Sequence, residues 1–154
     1  MLDNGWKMRT MRNRNLFFRS TKETQLFGTT FAQSLKKGAI VACFGEMGSG
    51  KTTFLKSVIA SITQCPQDLV DSPTFNYMNI YEGSLVTCYH FDLYRLKNSS
   101  DFLALGFEEF FYKEGICLIE WSEKIEHLLP STSYKLFFSH TPDHHRQCLI
   151  EGPL

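Results

Sequence analysis

The sequence of 154 residues predicts an α/β fold with a mostly parallel central sheet, helices on its faces and antiparallel strands at its edges. The run at 39–44 is apolar at every position, which is typical of a buried parallel strand, and helical spacing of apolar residues begins at Lys51. Strand-like runs at 85–91 and 116–119 predict two further strands. The order of strand, glycine-rich turn and helix is that of an α/β unit.

A helix is predicted before the first strand, over about 21–37. Ser20 and Glu23 have the spacing of a capping box at its start. Gly38 follows two lysines at its end, where a left-handed glycine commonly terminates a helix. The segment 16–19 is a candidate edge strand.

The remaining segments predict an irregular connection, a helix and a hairpin. Residues 64–84 are rich in Pro, Asp, Ser, Asn and Gly, with one short extended piece at 75–80. A helical stretch is expected around 101–112. Strand patterns at 134–139 and 147–150 flank a turn, and they predict a hairpin that closes one edge of the sheet.

Length and charge bound the domain organisation and the class of protein. The length is that of one domain, which we expect to span 14–154 after a flexible basic extension at 1–13. The 16 Lys and Arg residues balance 16 Asp and Glu residues, which argues against a nucleic-acid binder that is basic overall. Residues 1–22 nevertheless carry six basic residues and one acid, so the rest of the chain is acidic.

The cysteines and the apolar segments predict the compartment. Five cysteines, an odd number without a CxxC pair, indicate neither a disulfide framework nor a zinc knuckle. No stretch approaches the roughly 18 apolar residues of a membrane span, and the basic N-terminus lacks the apolar segment of a signal peptide. We therefore expect a cytoplasmic protein with no membrane partner.

The segment 45–52 matches the pattern GxxxxGK[ST] at every fixed position. It lies between a predicted strand and a predicted helix, which is the context of a phosphate-binding P-loop. Glycines let backbone N–H groups turn inward around a phosphate, and the helix N-terminus adds partial positive charge. Lys51 can then reach the β- and γ-phosphates, while the Thr52 hydroxyl can ligate Mg²⁺. The motif predicts a P-loop NTPase-like fold.

Two acids directly follow predicted strands, Asp92 after 85–91 and Glu120 after 116–119. Parallel sheets place ligands beyond the carboxyl ends of their strands, so both acids are expected at the edge that carries the P-loop. Each acid taken alone could instead be a helix N-cap or a solvated strand end. Their coincidence with the loop favours a magnesium site.

The absence of several known motifs restricts which nucleotide the site would bind and which reaction it would catalyse. The sequence has no NKxD to bind guanine, and Asp92 is not followed by the DxxG pattern of a GTPase switch, which favours adenine. Small-molecule kinases usually clamp the transferred phosphate with arginines of a lid. After Lys51 the sequence has only Arg95 and Arg146, so an arginine-rich lid is not expected.

Five segments together resemble the TsaE family of bacterial P-loop ATPases, which are required for threonylcarbamoyladenosine formation in tRNA. They are GEMGSGKTTF (45–54), SPTF (72–75), HFDLYRL (90–96), LGFEEFF (105–111) and LIEW (118–121). The resemblance runs from about Thr24 to Arg146. It implies a compact α/β fold, binding of ATP with Mg²⁺, and action on a complex of TsaD with TsaB that modifies the adenosine next to the anticodon.

The resemblance also implies which residues hold the nucleotide. Those around the phosphates would be Gly45, Glu46, Met47, Gly48, Ser49, Gly50, Lys51, Thr52 and Thr53. Thr24 matches a threonine of the family's N-terminal helix and would lie near the nucleotide. Thr74 resembles a switch-loop residue that senses the γ-phosphate and Mg²⁺. Trp121 and Arg146 match positions near the nucleotide or the partner surface.

The acids of two matched motifs are implied to act on the metal side or on water. Asp92 matches the acid of HFDLYR, and Glu120 matches the acid of IEW. The implied metal ligands are Thr52, Asp92 and Glu120, and the implied catalytic residues are Lys51, Asp92 and Glu120. Which of the two acids contacts Mg²⁺ directly stays open.

Several histidines are better explained by structural roles than by metal binding or catalysis. His140, His144, His145 and Cys148 have loose spacing and are interpreted as residues of the hairpin turn rather than a metal site. His90 alternates with Cys88 as strand residues do, which favours a packed residue or a neighbour of the site over a general base.

Three functions stay open at this point. The first is a weak ATPase whose hydrolysis resets a tRNA-modifying complex, with tRNA contacted indirectly through TsaD and TsaB. The second is a kinase for a nucleotide or small metabolite. The third is a nucleotide-gated binding module in which occupancy matters and hydrolysis is incidental. The absence of an arginine lid and the presence of HFDLYR favour the first over the second.

Overall fold

The computed structural model describes Asn13 and residues 15–153; the predicted extension at 1–13 lies, except for Asn13, outside them. Within these residues the strands are β1 (Asn15–Phe18), β2 (Ile40–Phe44), β3 (Met78–Glu82), β4 (Thr87–Asp92), β5 (Ile116–Glu120), β6 (Tyr134–His140) and β7 (Arg146–Glu151). The α-helices are α1 (Thr21–Ala32), α2 (Lys51–Thr63) and α3 (Ser99–Ala104). Three 3₁₀ segments cover Gln67–Leu69, Phe107–Tyr112 and Ser122–Leu128.

The strands form one mixed sheet in the order β1-β7-β6-β2-β5-β4-β3. The central pairs β6–β2, β2–β5 and β5–β4 are parallel, and the outer pairs β1–β7, β7–β6 and β4–β3 are antiparallel. The predicted fold class is therefore confirmed. The prediction that the β6–β7 hairpin closes an edge is wrong, because β1 pairs with β7 and takes the edge position itself.

Each face of the sheet carries its own apolar cluster, because successive strand residues point to opposite sides. Val41 and Cys43 of β2 face α1 and α2, whose Phe27, Phe31 and Phe54 pack together with ring centroids 5.1–5.9 Å apart. A second cluster on the other face contains residues of α3 and of the adjoining 3₁₀ segments. Most of the aromatic rings in these elements thus serve the core.

The start of α1 agrees with the prediction, whereas its end does not. The Ser20 hydroxyl accepts the Glu23 N–H at 3.2 Å, as an N-cap does. The helix ends at Ala32 rather than at 37, since the Ser34 backbone and hydroxyl both donate to the Phe31 carbonyl and tighten the last turn. Gly38 has φ +87° as expected, but it belongs to a separate turn before β2.

The helix predicted around 101–112 is two pieces. The α-helix α3 ends at Ala104, and a 3₁₀ segment begins at Phe107. Gly106 between them has φ +76°, a left-handed conformation that an α-helix cannot continue through. No helix in the described part of the chain is long and apolar enough to cross a membrane.

Candidate functional site

The carboxyl ends of the three central strands β2, β4 and β5 meet at the N-terminus of α2. Asp92 and Glu120 end β4 and β5 and are direct register partners. Phe44 ends β2, and the loop from Gly45 to Gly50 leads from it into α2. The parallel pairing thus brings the predicted loop and both predicted acids to one edge of the sheet.

The loop backbone depends on glycine at two points. Gly45 has φ +135°, and a Cβ added there would lie 2.3 Å from the carbonyl oxygen of Phe138 on β6. Gly50 has φ +110°, and a Cβ there would meet the Arg146 side chain at 3.1 Å. Both conformations disfavour residues with a side chain. The loop therefore wraps closely at the start of α2, as a phosphate cradle requires.

Lys51 lies over this loop and under an aromatic ring. Its Nζ donates to the carbonyl oxygens of Gly45 and Glu46, the latter at 2.8 Å, and lies 4.1 Å from the ring centroid of Trp121. Trp121 adopts a left-handed φ of +59° directly after β5, which turns its ring toward the loop. Burial lowers the pKa of Lys51, an effect opposed by the charges of Glu123 and Glu120.

Glu120 is buried, with 1% of its surface exposed, and both of its oxygens have partners. The Thr52 hydroxyl donates to Oε1, and Nε2 of His90 lies 2.9 Å from Oε2. The neighbouring Asp92 accepts the Tyr94 N–H at 3.0 Å. Burial first, and then the charge of Glu120, raise the pKa of Asp92, so these two acids interact with each other.

A cavity of about 300 Å³ joins these groups. It is lined by Met47, Gly48, Ser49, Gly50, Lys51, Thr52, Thr53, Asp92, Tyr94, Glu120, Trp121 and Arg146. Arg146 crosses from the start of β7, and its Nε donates to the Gly48 carbonyl at 3.0 Å. The cavity combines backbone of the loop, two cations, two carboxylates and several hydroxyls, among them that of Thr52, which is the donor set that a magnesium-bound polyphosphate needs.

Four predicted residues are not among those that line this cavity. Gly45 and Glu46 begin the loop and contact Lys51 through their carbonyl oxygens. Thr24 is buried in α1, where its hydroxyl donates to the Ser20 carbonyl at 3.4 Å, and its neighbours Thr21 and Gln25 line a separate cavity with Thr52 and Thr53. Thr74 is exposed and lines a smaller adjoining cavity that shares Asp92 and Tyr94 with the main one.

The sequence of the chain matches a known protein family. A model of the family described as "Threonylcarbamoyl adenosine biosynthesis protein TsaE" matches residues 18–148. The chain belongs to the TsaE family. The TsaE protein of Rickettsia typhi is 38% identical over 132 residues, covering 86% of this chain and 90% of that protein. The TsaE protein of Treponema pallidum is 33% identical, covering 86% and 96% respectively.

A solved structure of similar fold supports the same conclusion. The crystal structure of YdiB from Bacillus subtilis matches with a TM-score of 0.70 and 26% identity, covering 88% of this chain and 82% of that one. The TsaE protein of Bacillus subtilis is 33% identical over 128 residues. The TsaE fold therefore spans almost the whole described part of the chain.

One residue at the loop of this TsaE chain was not predicted. Glu123 lies in the 3₁₀ segment after Trp121, and its Oε1 accepts the Gly45 N–H at 3.0 Å. Burial raises its pKa, while the bond from Gly45 and the charge of Lys51 act in the opposite direction. An acid three residues after Glu120 is an ordinary surface pattern, so no signal in the sequence singled it out.

Of the four residues interpreted as belonging to the hairpin turn, His144 and His145 lie in the turn, whereas His140 ends a strand and Cys148 lies within one. β6 ends at His140 and β7 begins at Arg146, so His144 and His145 belong to the connecting turn. His144 has φ +62°, and the Thr141 N–H donates to the His145 carbonyl at 2.9 Å. Cys148 is fully buried in the core cluster on the α1 and α2 face.

Proposed function

We propose that this chain is a P-loop ATPase that binds ATP with Mg²⁺ and acts in threonylcarbamoyladenosine modification of tRNA. The names of its relatives support the process, since the curated proteins from Rickettsia and Bacillus are called tRNA threonylcarbamoyladenosine biosynthesis proteins. The single observation that carries the ATPase assignment is the contact between Thr52 and Glu120 at the mouth of the loop. It joins the Thr52 hydroxyl, which the motif would use to bind the metal, to the carboxylate of Glu120 at the end of β5.

The roles of the residues follow from their positions. The loop backbone and Lys51 bind the phosphates, and Arg146, which is tied to the Gly48 carbonyl, adds a second cation to the lining of the cavity. Thr52, Asp92 and Glu120 offer oxygen atoms that fit Mg²⁺, which when bound neutralises charge on the β- and γ-phosphates. Asp92 or Glu120 then orients the attacking water, so that catalysis rests on positioning and electrostatics.

We propose further that the chain works in the cytoplasm on a complex of TsaD and TsaB, and that hydrolysis resets this complex between turnovers. The charge distribution supports a protein partner over direct contact with RNA. Residues 23–154 carry ten basic and fifteen acidic residues, and this part holds all of the site. The net negative charge of residues 23–154 repels the phosphate backbone of RNA, so the chain acts on tRNA indirectly, through the complex.

Nucleotide binding with and without Mg²⁺ tests the site. In Thr52→Val the affinity for ATP in the presence of Mg²⁺ should fall about tenfold, as expected for loss of one ligand and its hydrogen bond, while the affinity in a chelator should change little. Thr30→Val is the matched control, since the Thr30 hydroxyl bonds only to the Leu26 carbonyl within α1. Equal loss with and without Mg²⁺ would contradict the assignment.

Product analysis separates the alternatives. Free phosphate as the product supports the ATPase, whereas transfer of the γ-phosphate to an added nucleoside or metabolite would identify a kinase. A third outcome, tight ATP binding and partner binding with no hydrolysis under any condition, would identify a nucleotide-gated binding module. The Glu120→Gln variant should strongly lower phosphate release, to a small residual rate, without abolishing ATP binding if the ATPase proposal is correct.

A further inference from the structure

His90 is a buried titratable residue to which the proposed function has not yet given a role. It lies on β4 with 0% of its surface exposed. Cys88, two residues earlier, belongs to the apolar cluster under α1 and α2, so strand alternation places His90 on that face. On β5 the same alternation places Leu118 and Glu120 on that face as well. The two strands therefore direct His90 and Glu120 to the same side, where α2 begins.

The contact between these side chains has a defined direction. Nε2 of His90 lies 2.9 Å from Oε2 of Glu120, while Nδ1 is buried and has no hydrogen-bond partner among the described residues. A buried N–H without an acceptor is costly, and a carboxylate accepts hydrogen bonds. The arrangement with the lower cost has the proton on Nε2, donated to Glu120, and a bare lone pair on Nδ1.

Glu120 is consequently held at both oxygens. Thr52 donates to Oε1 from the start of α2, and His90 donates to Oε2 from β4. A carboxylate with a single partner could rotate about its last bond, whereas two donors on different elements fix the plane of the carboxylate. Partners of this kind orient metal-side ligands, and their loss typically costs about 10–100-fold in affinity or activity.

We propose that His90 is a positioning residue for the reaction, which acts by fixing the carboxylate of Glu120 against Thr52. The proposal rests on the proposed function, because the reaction it serves is ATP hydrolysis. It assigns His90 no contact with the nucleotide and no proton transfer. Removal of its donor should therefore lower kcat and the apparent affinity for Mg²⁺ while leaving ATP binding in a chelator unchanged.

Substitutions at His90 separate positioning from packing. His90→Leu removes the donor and should lower kcat about 10–100-fold. His90→Gln can place an amide N–H near the position of Nε2 and should recover most of that loss. Cys88→Ala is the control, because Cys88 is also fully buried on the same face of β4 and is two residues away from the contact. If Cys88→Ala lowers kcat as much as His90→Leu, or if Gln recovers nothing, the positioning role is wrong.

A double-mutant cycle asks whether His90 acts through Glu120. In a Glu120→Ala background there is no carboxylate to position, so His90→Leu should have no further effect on the residual rate. Equal effects of His90→Leu in both backgrounds would overturn the proposal. If instead Lys51→Ala keeps full hydrolysis, the assignment of the ATP site to this loop fails, which is a different result from a null effect at His90 alone.

A spectroscopic measurement tests the contact without any nucleotide. The ¹⁵N shifts of the imidazole report which ring nitrogen carries the proton, and they should show the Nε2–H form in the wild type. Glu120→Ala should change these shifts, whereas Cys88→Ala should not. A proton on Nδ1 alone, with Nε2 bare, would contradict the donated hydrogen bond and with it the proposal, whatever the outcome for ATP hydrolysis.

Discussion

Gly45→Ala should disrupt the phosphate loop through both backbone strain and steric overlap. The residue has φ +135°, and the new Cβ would lie 2.3 Å from the Phe138 carbonyl oxygen and 2.9 Å from the Ser49 hydroxyl. Ordinary contact needs a separation of at least about 3.4 Å, so the loop and β6 must move apart by about 1 Å. Strain of about 1–3 kcal/mol and overpacking of a similar size predict a loss of about 2–6 kcal/mol in the free energy of unfolding.

Urea unfolding and ATP binding measure the two consequences. For a domain of this size the loss corresponds to about 5–15 °C in Tm. ATP affinity should fall as well, since the Gly45 carbonyl accepts from Lys51 and its N–H donates to Glu123. Gly38→Ala is the control: its φ is +87° and a Cβ there meets nothing within 4 Å, so strain alone should cost about 1–2 kcal/mol, with ATP binding unchanged. Equal losses in both variants would refute the reasoning.

Substitutions at three further positions test the electrostatics of the site. Burial and the charge of Glu120 raise the pKa of Asp92, so the protonated form of Asp92 favours the fold and stability is lost as pH rises through that pKa. In urea unfolding without Mg²⁺, Asp92→Asn should therefore be more stable than the wild type near pH 7 and equal to it below about pH 4. Glu123→Ala should lower the free energy of unfolding by about 1 kcal/mol and weaken ATP binding, whereas Glu123→Gln should recover most of both, because an amide oxygen can still accept the Gly45 N–H. Equal stability and equal ATP affinity of the two variants in unfolding and binding titrations would contradict this. Arg146→Ala should weaken ATP binding about tenfold in calorimetry through loss of a cation that is tied to the loop, and an unchanged affinity would remove it from the site.

The central α/β unit was predictable because its signals are local. A strand that is apolar at every position, a glycine loop and a helix starting at Lys51 need no tertiary information to be read. The meeting of Asp92 and Glu120 was also predictable, since both end strands, and parallel strands present their carboxyl ends at one edge. These are the parts of the site that strand topology alone determines.

The remaining features depend on local backbone geometry that periodicity does not encode, or on contacts between distant segments. The Ser34 hydroxyl competes for the Phe31 carbonyl at the end of α1, and Gly106 breaks a stretch whose apolar spacing predicts a continuous helix. Glu123 reaches Gly45 from 78 residues away, across a turn whose left-handed Trp121 has no marker in the sequence. Sequence periodicity carries no information about such pairings.

Thr24 is a predicted nucleotide neighbour that the geometry of the main cavity does not include. The side chain is buried and bonds within α1, while Thr21 and Gln25 of the same helix line a cavity with Thr52 and Thr53. A motif transfers a position along the chain, whereas a contact also requires that the side chain point toward the ligand. Its role as a nucleotide neighbour stays a prediction, which ATP binding by Thr24→Val would test.

The most direct test of the central claim is phosphate release by the wild type and by Lys51→Ala, each with and without the TsaD–TsaB complex. Lys113→Ala is a matched control, because Lys113 precedes β5 at the opposite edge of the sheet, where its Nζ pairs with the exposed Glu109 and lies over the Phe110 ring. We expect slow release by the wild type and by Lys113→Ala, a rise on addition of the complex, and loss of both activities in Lys51→Ala. Hydrolysis in Lys51→Ala equal to that of the wild type would contradict this expectation.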